Sequence, residues 1–258
     1  MRTNLETTDS IKKASYPIIT FLVIIAVWQF AVVQFDIPQY LLPAPTDIIE
    51  VFFTDYENLI NHSIITIFES ISGFMLAVLI ALLMGILMDF VDIIRKCLYP
   101  LMLITQMIPT ITIAPLLVIW FGFGILPKTL MVILTCFFPI LVSFVDGLEN
   151  VDKDYLNLFK TMNASKLDTF IHLKFPMSIE KLFSGLKISA TYAVMAATVA
   201  EWLGGTVGLG VYMVRSKKAY ALDKVFASTI LIVIFSLIFV GVVQIIRKKV
   251  LKNRNGFC

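Results

Sequence analysis

The sequence predicts an all-α polytopic membrane protein with six transmembrane helices, and three observations carry that prediction. Of 258 residues, 59% are hydrophobic and only 15% charged, whereas soluble domains average near half apolar and about a quarter charged; mean hydropathy is +0.89. Six apolar runs, at roughly 16–35, 63–88, 99–121, 128–145, 182–203 and 225–246, are long enough for a hydrocarbon core that needs about 20 residues. Lysine and arginine segregate between alternate connections. The net charge of +3 is small and points to no nucleic-acid partner.

The polar segment 1–15 carries Lys12 and Lys13 just before the first run. That run exceeds a signal-peptide core and lacks a small-residue cleavage site, so it reads as a retained span. The membrane domain then occupies 16–246, and 247–258 is a basic tail. With the N-terminus cytoplasmic, 16 of the 21 basic residues fall on the inner side, including Arg95, Lys96, Lys153, Lys160, Lys166, Lys174 and the tail cluster. Lys128, Arg215, Lys217, Lys218 and Lys224 fall outside, while Asp36, Asp47, Glu50, Asp55 and Glu57 fill the first outer loop. The expectation is a multi-pass membrane protein with both termini cytoplasmic.

Within that outer loop, YLLPAPTDIIEVFF predicts a short helix capped by Thr46, with Ile48, Ile49, Val51 and Phe52 dipping into the interface. The third span holds Pro100, Pro109 and Pro115, with Thr110 and Thr112 between the last two and Gln106 one turn earlier. Each interior proline frees a carbonyl that lipid cannot satisfy. The expectation is a kinked helix whose amide and hydroxyls line a polar path, or one kinked only for packing.

In the fifth span Gly185, Ser189, Ala193 and Ala197 recur every four residues, a ridge that admits another backbone. Glu201 continues this row in Ala200-Glu201-Trp202-Leu203-Gly204-Gly205. A carboxylate there must face protein, a cation or water. It is a candidate for the translocation path, with Trp202, or for an ion pair with the basic cluster at 215–224. Glu69, early in the second span, poses the same choice. Gly204, Gly205, Gly208 and Gly210 lack the Lys-Ser/Thr ending of a phosphate-cradling loop and read as a turn.

The stretch 152–176, DKDYLNLFKTMNASKLDTFIHLKFP, is the one long polar interruption in the second half. Tyr155, Leu158, Phe159 and Met162 fall at helical spacing after Asp152 as N-cap. Asn163 occupies the left-handed C-cap position. Ser165-x-x-Asp168 opens a second helix through a capping box, with Leu167, Phe170 and Ile171 following. Pro176 is expected to end it. Two short amphipathic helices between membrane spans leave an apolar face in need of a partner, or lie on the membrane surface.

This stretch resembles the cytoplasmic coupling loop of bacterial ABC importer permeases, whose pattern is E-A-A-x-x-x-G, nine residues, then I-x-L-P. It reads Asn157-Leu158-Phe159, three residues, Asn163-Ala164, then Leu173-Lys174-Phe175-Pro176, with the spacing kept. Asn157 stands where the acid stands, leaving none for a carried-over ion pair, while Asn163 is the next-best residue for a left-handed corner. The resemblance extends over roughly 41–249 and includes the Leu-Pro-x-Pro start of the first outer loop. The group resembled comprises permeases for sulfonates, taurine, nitrate, bicarbonate and thiamine-pyrimidine precursors.

The resemblance implies a coupling loop at 150–178 between spans 4 and 5 that docks a separate ATPase. It also implies a homodimeric pore, two ATPase subunits and an extracytoplasmic solute-binding protein. The substrate class implied is a small organic solute or anion, leaning to a thiamine-pyrimidine precursor or similar aromatic compound. The competing expectation is a self-sufficient secondary transporter or channel. No Walker-type, His-Glu-x-x-His or Gly-x-Ser-x-Gly sequence occurs, and His62, His172, Cys97, Cys136 and Cys258 have no ligand spacing. No metal, cofactor or enzymatic activity of the chain itself is expected.

Overall fold

The computed structural model describes residues 2–105 and 107–254, and every regular element among the described residues is helical. In order these are α1 (Arg2–Gln34), α2 (Pro45–Thr54), α3 (Tyr56–Phe90), α4 (Asp92–Thr105), α5 (Thr110–Phe121), α6 (Ile125–Glu149), α7 (Lys153–Thr161), α8 (Lys166–Thr169), a π-helical turn (Phe170–Lys174), α9 (Phe175–Gly204), α10 (Leu209–Lys218) and α11 (Leu222–Arg254). Five helices are long and apolar enough to cross a membrane, and α4 with α5 makes a sixth if that bent pair is one span.

Three local expectations change. The third span is two helices rather than one kinked helix. Pro109 has no N–H to continue the ladder, so α4 ends at Thr105 and Pro109 becomes the residue before α5. Pro176 does not stop the second helix of the 152–176 stretch. A π-helical turn widens the backbone over Phe170–Lys174, with Phe175 N–H donating back to Phe170 O. Pro176 thereby enters the first turn of α9, where a missing N–H costs least. Finally, α2 is capped at Ala44 instead of Thr46: the Asp47 carboxylate accepts from Ala44 N–H at 3.0 Å, with Pro45 as first helical residue. Ile48 and Val51 of α2 are buried, whereas Ile49 is exposed.

The chain divides into two compact units. In the first (1–59 and 213–229), α1 is tied to α2 because the Gln29 amide accepts from Thr46 N–H and donates to Thr46 Oγ1, both at 3.2 Å. Trp28 stacks obliquely on Phe226 at 5.6 Å, and Lys224 pairs with Asp55 at 2.7 Å.

The second unit (60–212 and 230–258) is organised around the packing of α6 against α9. Lipid offers no hydrophobic drive between helices, so close van der Waals fit and interhelical hydrogen bonds must hold them. Gly185 supplies the fit: a Cβ there would stand 2.5 Å from Pro139 O and 2.7 Å from Ser143 Cβ. One turn on, Ser189 Oγ donates to Cys136 O at 2.7 Å, and Ala193 and Ala197 are fully buried beyond it. Phe144, Leu141 and Ile140 of α6 pack with Ala77, Ala81 and Met88 of α3 to complete the core. Ala114 and Leu117 of α5 meet Met131 and Ala200 in a smaller cluster.

Candidate functional site

The 152–176 stretch folds as its caps require. Asp152 accepts from Asp154 N–H at 2.9 Å and opens α7. At the other end Asn163 takes a φ of 55°, Asn163 N–H donates to Lys160 O and Ala164 N–H to Phe159 O, both 3.0 Å, which is a Schellman closure. Ser165 Oγ accepts from Asp168 N–H at 3.1 Å while Asp168 accepts from Ser165 N–H at 3.3 Å, completing the capping box.

The corner then divides its apolar residues. Leu173 and Phe170 are buried, and Phe170 meets Phe90 at 5.3 Å and Phe175 at 5.9 Å, anchoring the stretch to α3 and α9. Lys174 adds an ion pair to Asp89 at 2.7 Å. Phe159, Ala164 and Pro176 are half-buried, whereas Asn157 is exposed. Tyr155, Leu158, Met162, Leu167 and Ile171 are also exposed, from 47% at Ile171 to 70% at Met162. A rigidly capped corner thus presents five large apolar side chains outward.

Of the candidates for the polar path, Pro109, Thr110 and Thr112 lie exposed at the start of α5, where Thr112 Oγ1 donates to Pro109 O at 2.7 Å. Gln106 lies outside the described residues. Trp202 is 43% exposed, while Glu201, its neighbour, is 1% exposed.

Glu201 is the centre of a network that the sequence only half discloses. Its Oε1 accepts from Thr66 Oγ1 at 2.7 Å and its Oε2 from Gly210 N–H at 2.6 Å. It therefore draws on neutral donors and lies against the Glu69 side chain, rather than pairing with the cluster at 215–224, whose Lys224 is engaged by Asp55. Lys128, counted on the outer side as the first residue of the fourth apolar run, sits in the first turn of α6 at 4% exposure. Its Nζ is 2.6 Å from Glu69 Oε1 and donates to Val207 O at 3.2 Å. Thr66 Oγ1 also accepts from Leu209 N–H at 2.8 Å, and His62 Nδ1 accepts from Gly208 N–H at 2.9 Å.

The glycine turn is thus pinned to the end of α9 remote from the 152–176 corner. Gly208 makes this possible: its φ is +133°, and a Cβ there would overlap the Glu201 carboxylate. The signal that could have found this network is His62, Thr66 and Glu69 at i, i+4 and i+7, a polar stripe in the first half of α3. Lys128 carries no such signal, since nothing in its neighbours reveals that it turns inward.

Residues 77–252 match the family described as "Binding-protein-dependent transport system inner membrane component". The chain is 34% identical over 221 residues to a probable ABC transporter permease protein of Haemophilus influenzae, covering 86% of this chain and 90% of that one. It is 33% identical over 242 residues to the formylaminopyrimidine transport permease protein ThiX of Halalkalibacterium halodurans, covering 93% and 94%. A putative aliphatic sulfonates transport permease protein SsuC of Bacillus subtilis shares 26% over 237 residues, covering 91% and 86%. Wholly helical regular structure with five or six candidate spans among the described residues agrees with this relationship. The chain belongs to the family of binding-protein-dependent transport system inner membrane components, as an ABC transporter permease.

Proposed function

We propose that this permease forms, with a second copy of itself, the translocation pathway of an importer, and that the corner at 150–178 docks the ATPase that powers it. The observation that carries the reading is the outward apolar face of Tyr155, Leu158, Met162, Leu167 and Ile171 on a corner fixed by two caps. Such a patch on a rigid support is a binding surface in want of a partner. Both termini and this corner are cytoplasmic by the distribution of basic residues, and an extracytoplasmic binding protein delivers the solute at the other side. Tyr155, Asn157, Leu158, Phe159, Met162, Asn163, Ala164, Leu173 and Pro176 build the docking corner. Gln106, Pro109, Thr110, Thr112, Glu201 and Trp202 border the pathway.

Transport is then a shift between two bundle conformations. ATP closure moves the docked corner, and work passes inward only because the corner binds the two ATPase states unequally. The solute is a thiamine-pyrimidine precursor or a similar aromatic compound, a reading supported by 33% identity to ThiX over nearly the whole chain. Sulfonates, taurine and nitrate form the competing class. Leu158→Asp tests the docking surface: the chain should insert in the membrane yet lose its co-purifying ATPase and all uptake. Retention of both would overturn the reading. The solute is tested by thermal shift of the cognate binding protein with a formylaminopyrimidine, taurine and an alkanesulfonate; stabilisation by one of the latter two alone would replace the assignment.

A further inference from the structure

We propose that His62, Thr66, Glu201 and the Glu69–Lys128 pair form a latch that fastens the 207–210 turn to α3, α6 and α9, and that the latch opens in every transport cycle. The inference rests on the permease function proposed for this chain and concerns the end of α9 opposite the docking corner. Four successive residues, the last two of the turn and the first two of α10, are each held by a side chain from another helix: Val207 O by Lys128, Gly208 N–H by His62, Leu209 N–H by Thr66 and Gly210 N–H by Glu201. Three helices contribute, so the turn cannot lift without breaking bonds to all of them. Nor can α3, α6 and α9 separate at this end while the turn stays in place.

Capping the first N–H groups of α10 accounts for the His62, Thr66 and Glu201 contacts, but not for the buried ion pair. A buried ion pair is often no better than apolar residues of the same size, because desolvation offsets the attraction. Here the cluster also sets two carboxyls against one ammonium: Glu69 Oε2 accepts from no donor, and the Glu69 side chain lies within hydrogen-bonding reach of Glu201. An orphaned buried carboxylate oxygen is costly and calls for an explanation. A second arrangement of the cluster, in which Lys128 and Glu69 are re-partnered or hydrated as the turn lifts, supplies one. Groups that are dry and under-satisfied in one state and wet in the other bias a two-state element without a large energy gap between its states. α9 links the two ends directly: from Phe175 at the docking corner to Glu201 it rises about 39 Å.

Leu209 reports the latch because it is fully buried at the start of α10. Leu209→Cys, in a Cys97→Ser, Cys258→Ser background, is assembled with the ATPase in vesicles and treated with a membrane-impermeant maleimide. Labelling without nucleotide is compared with labelling of the ATP–vanadate-trapped complex. The latch predicts a rise in labelling rate of at least about tenfold on trapping. A second measurement uses the unsubstituted chain: hydrogen exchange at the Gly208, Leu209 and Gly210 amides should accelerate by a similar factor. A complex that hydrolyses ATP but shows equal exchange at these amides in both states overturns the latch and leaves the permease reading intact. A chain that assembles with no ATPase overturns both.

Discussion

Replacing Lys128 by methionine isolates the energetics of the buried pair. The ammonium lies 2.6 Å from Glu69 Oε1, with the two side chains 5% and 0% exposed. At an effective dielectric of about 20 the attraction is roughly 6 kcal/mol, before desolvation is set against it. Methionine removes that attraction together with the ammonium that donates to Glu69 Oε1, and leaves the side chain against Glu201 alone. Breaking a buried pair by removing one member costs about 3–5 kcal/mol.

For a chain of this size each kcal/mol moves the thermal midpoint by about 2–4 °C, so Lys128→Met should lower it by on the order of 10 °C. The assay is fluorescence-detected size exclusion of detergent-solubilised protein after heating. Its control is Glu69→Leu with Lys128→Met, which removes both charges and should recover most of the loss. A single variant within about 2 °C of the parent, or a double variant as unstable as the two singles summed, would refute the reasoning.

Other expectations can be checked alongside. Gly185→Val should weaken the α6–α9 contact by about 1–3 kcal/mol, since the new Cβ meets the Pro139 carbonyl, which belongs to the backbone and cannot step aside; the same heating assay reads it. Asn163→Gly should leave coupling intact, whereas Asn163→Val forces a β-branched residue to a φ of 55° and should reduce ATPase co-purification. Ser165→Ala removes the cap of α8 at a cost of about 1 kcal/mol, visible as faster hydrogen exchange over residues 166–169 with no change at α6. Glu201→Ala should change the stimulation of ATP hydrolysis by the binding protein, and a normal stimulation curve would confine Glu201 to structure.

Much of the candidate site is legible along the chain because local rules govern it. Asp152, Asn163 and Ser165 specify caps within four residues of themselves, and each cap forms. The ridge Gly185–Ser189–Ala193–Ala197 is legible for the same reason, although its partner on α6, the Pro139–Ser143 turn, is not. Thr46 looks like a cap in the sequence, but Gln29, 17 residues earlier, takes its hydroxyl and leaves Asp47 to cap α2 from inside. Pro176 looks like a helix stop because proline rules assume an α-helical register, and the π-helical turn at Phe170–Lys174 removes the conflict.

Membrane class, helical segments and the two-helix corner are all written in the chain, since hydropathy, capping and turn chemistry act over a few residues. The place of Lys128 is not written there and emerges from packing alone. Its burial against Glu69, 59 residues away, and its hold on Val207, 79 residues away, depend on how three helices converge on one turn. A charge at the start of an apolar run reads as an outer-side residue until a buried counterion elsewhere in the fold makes the interior tolerable.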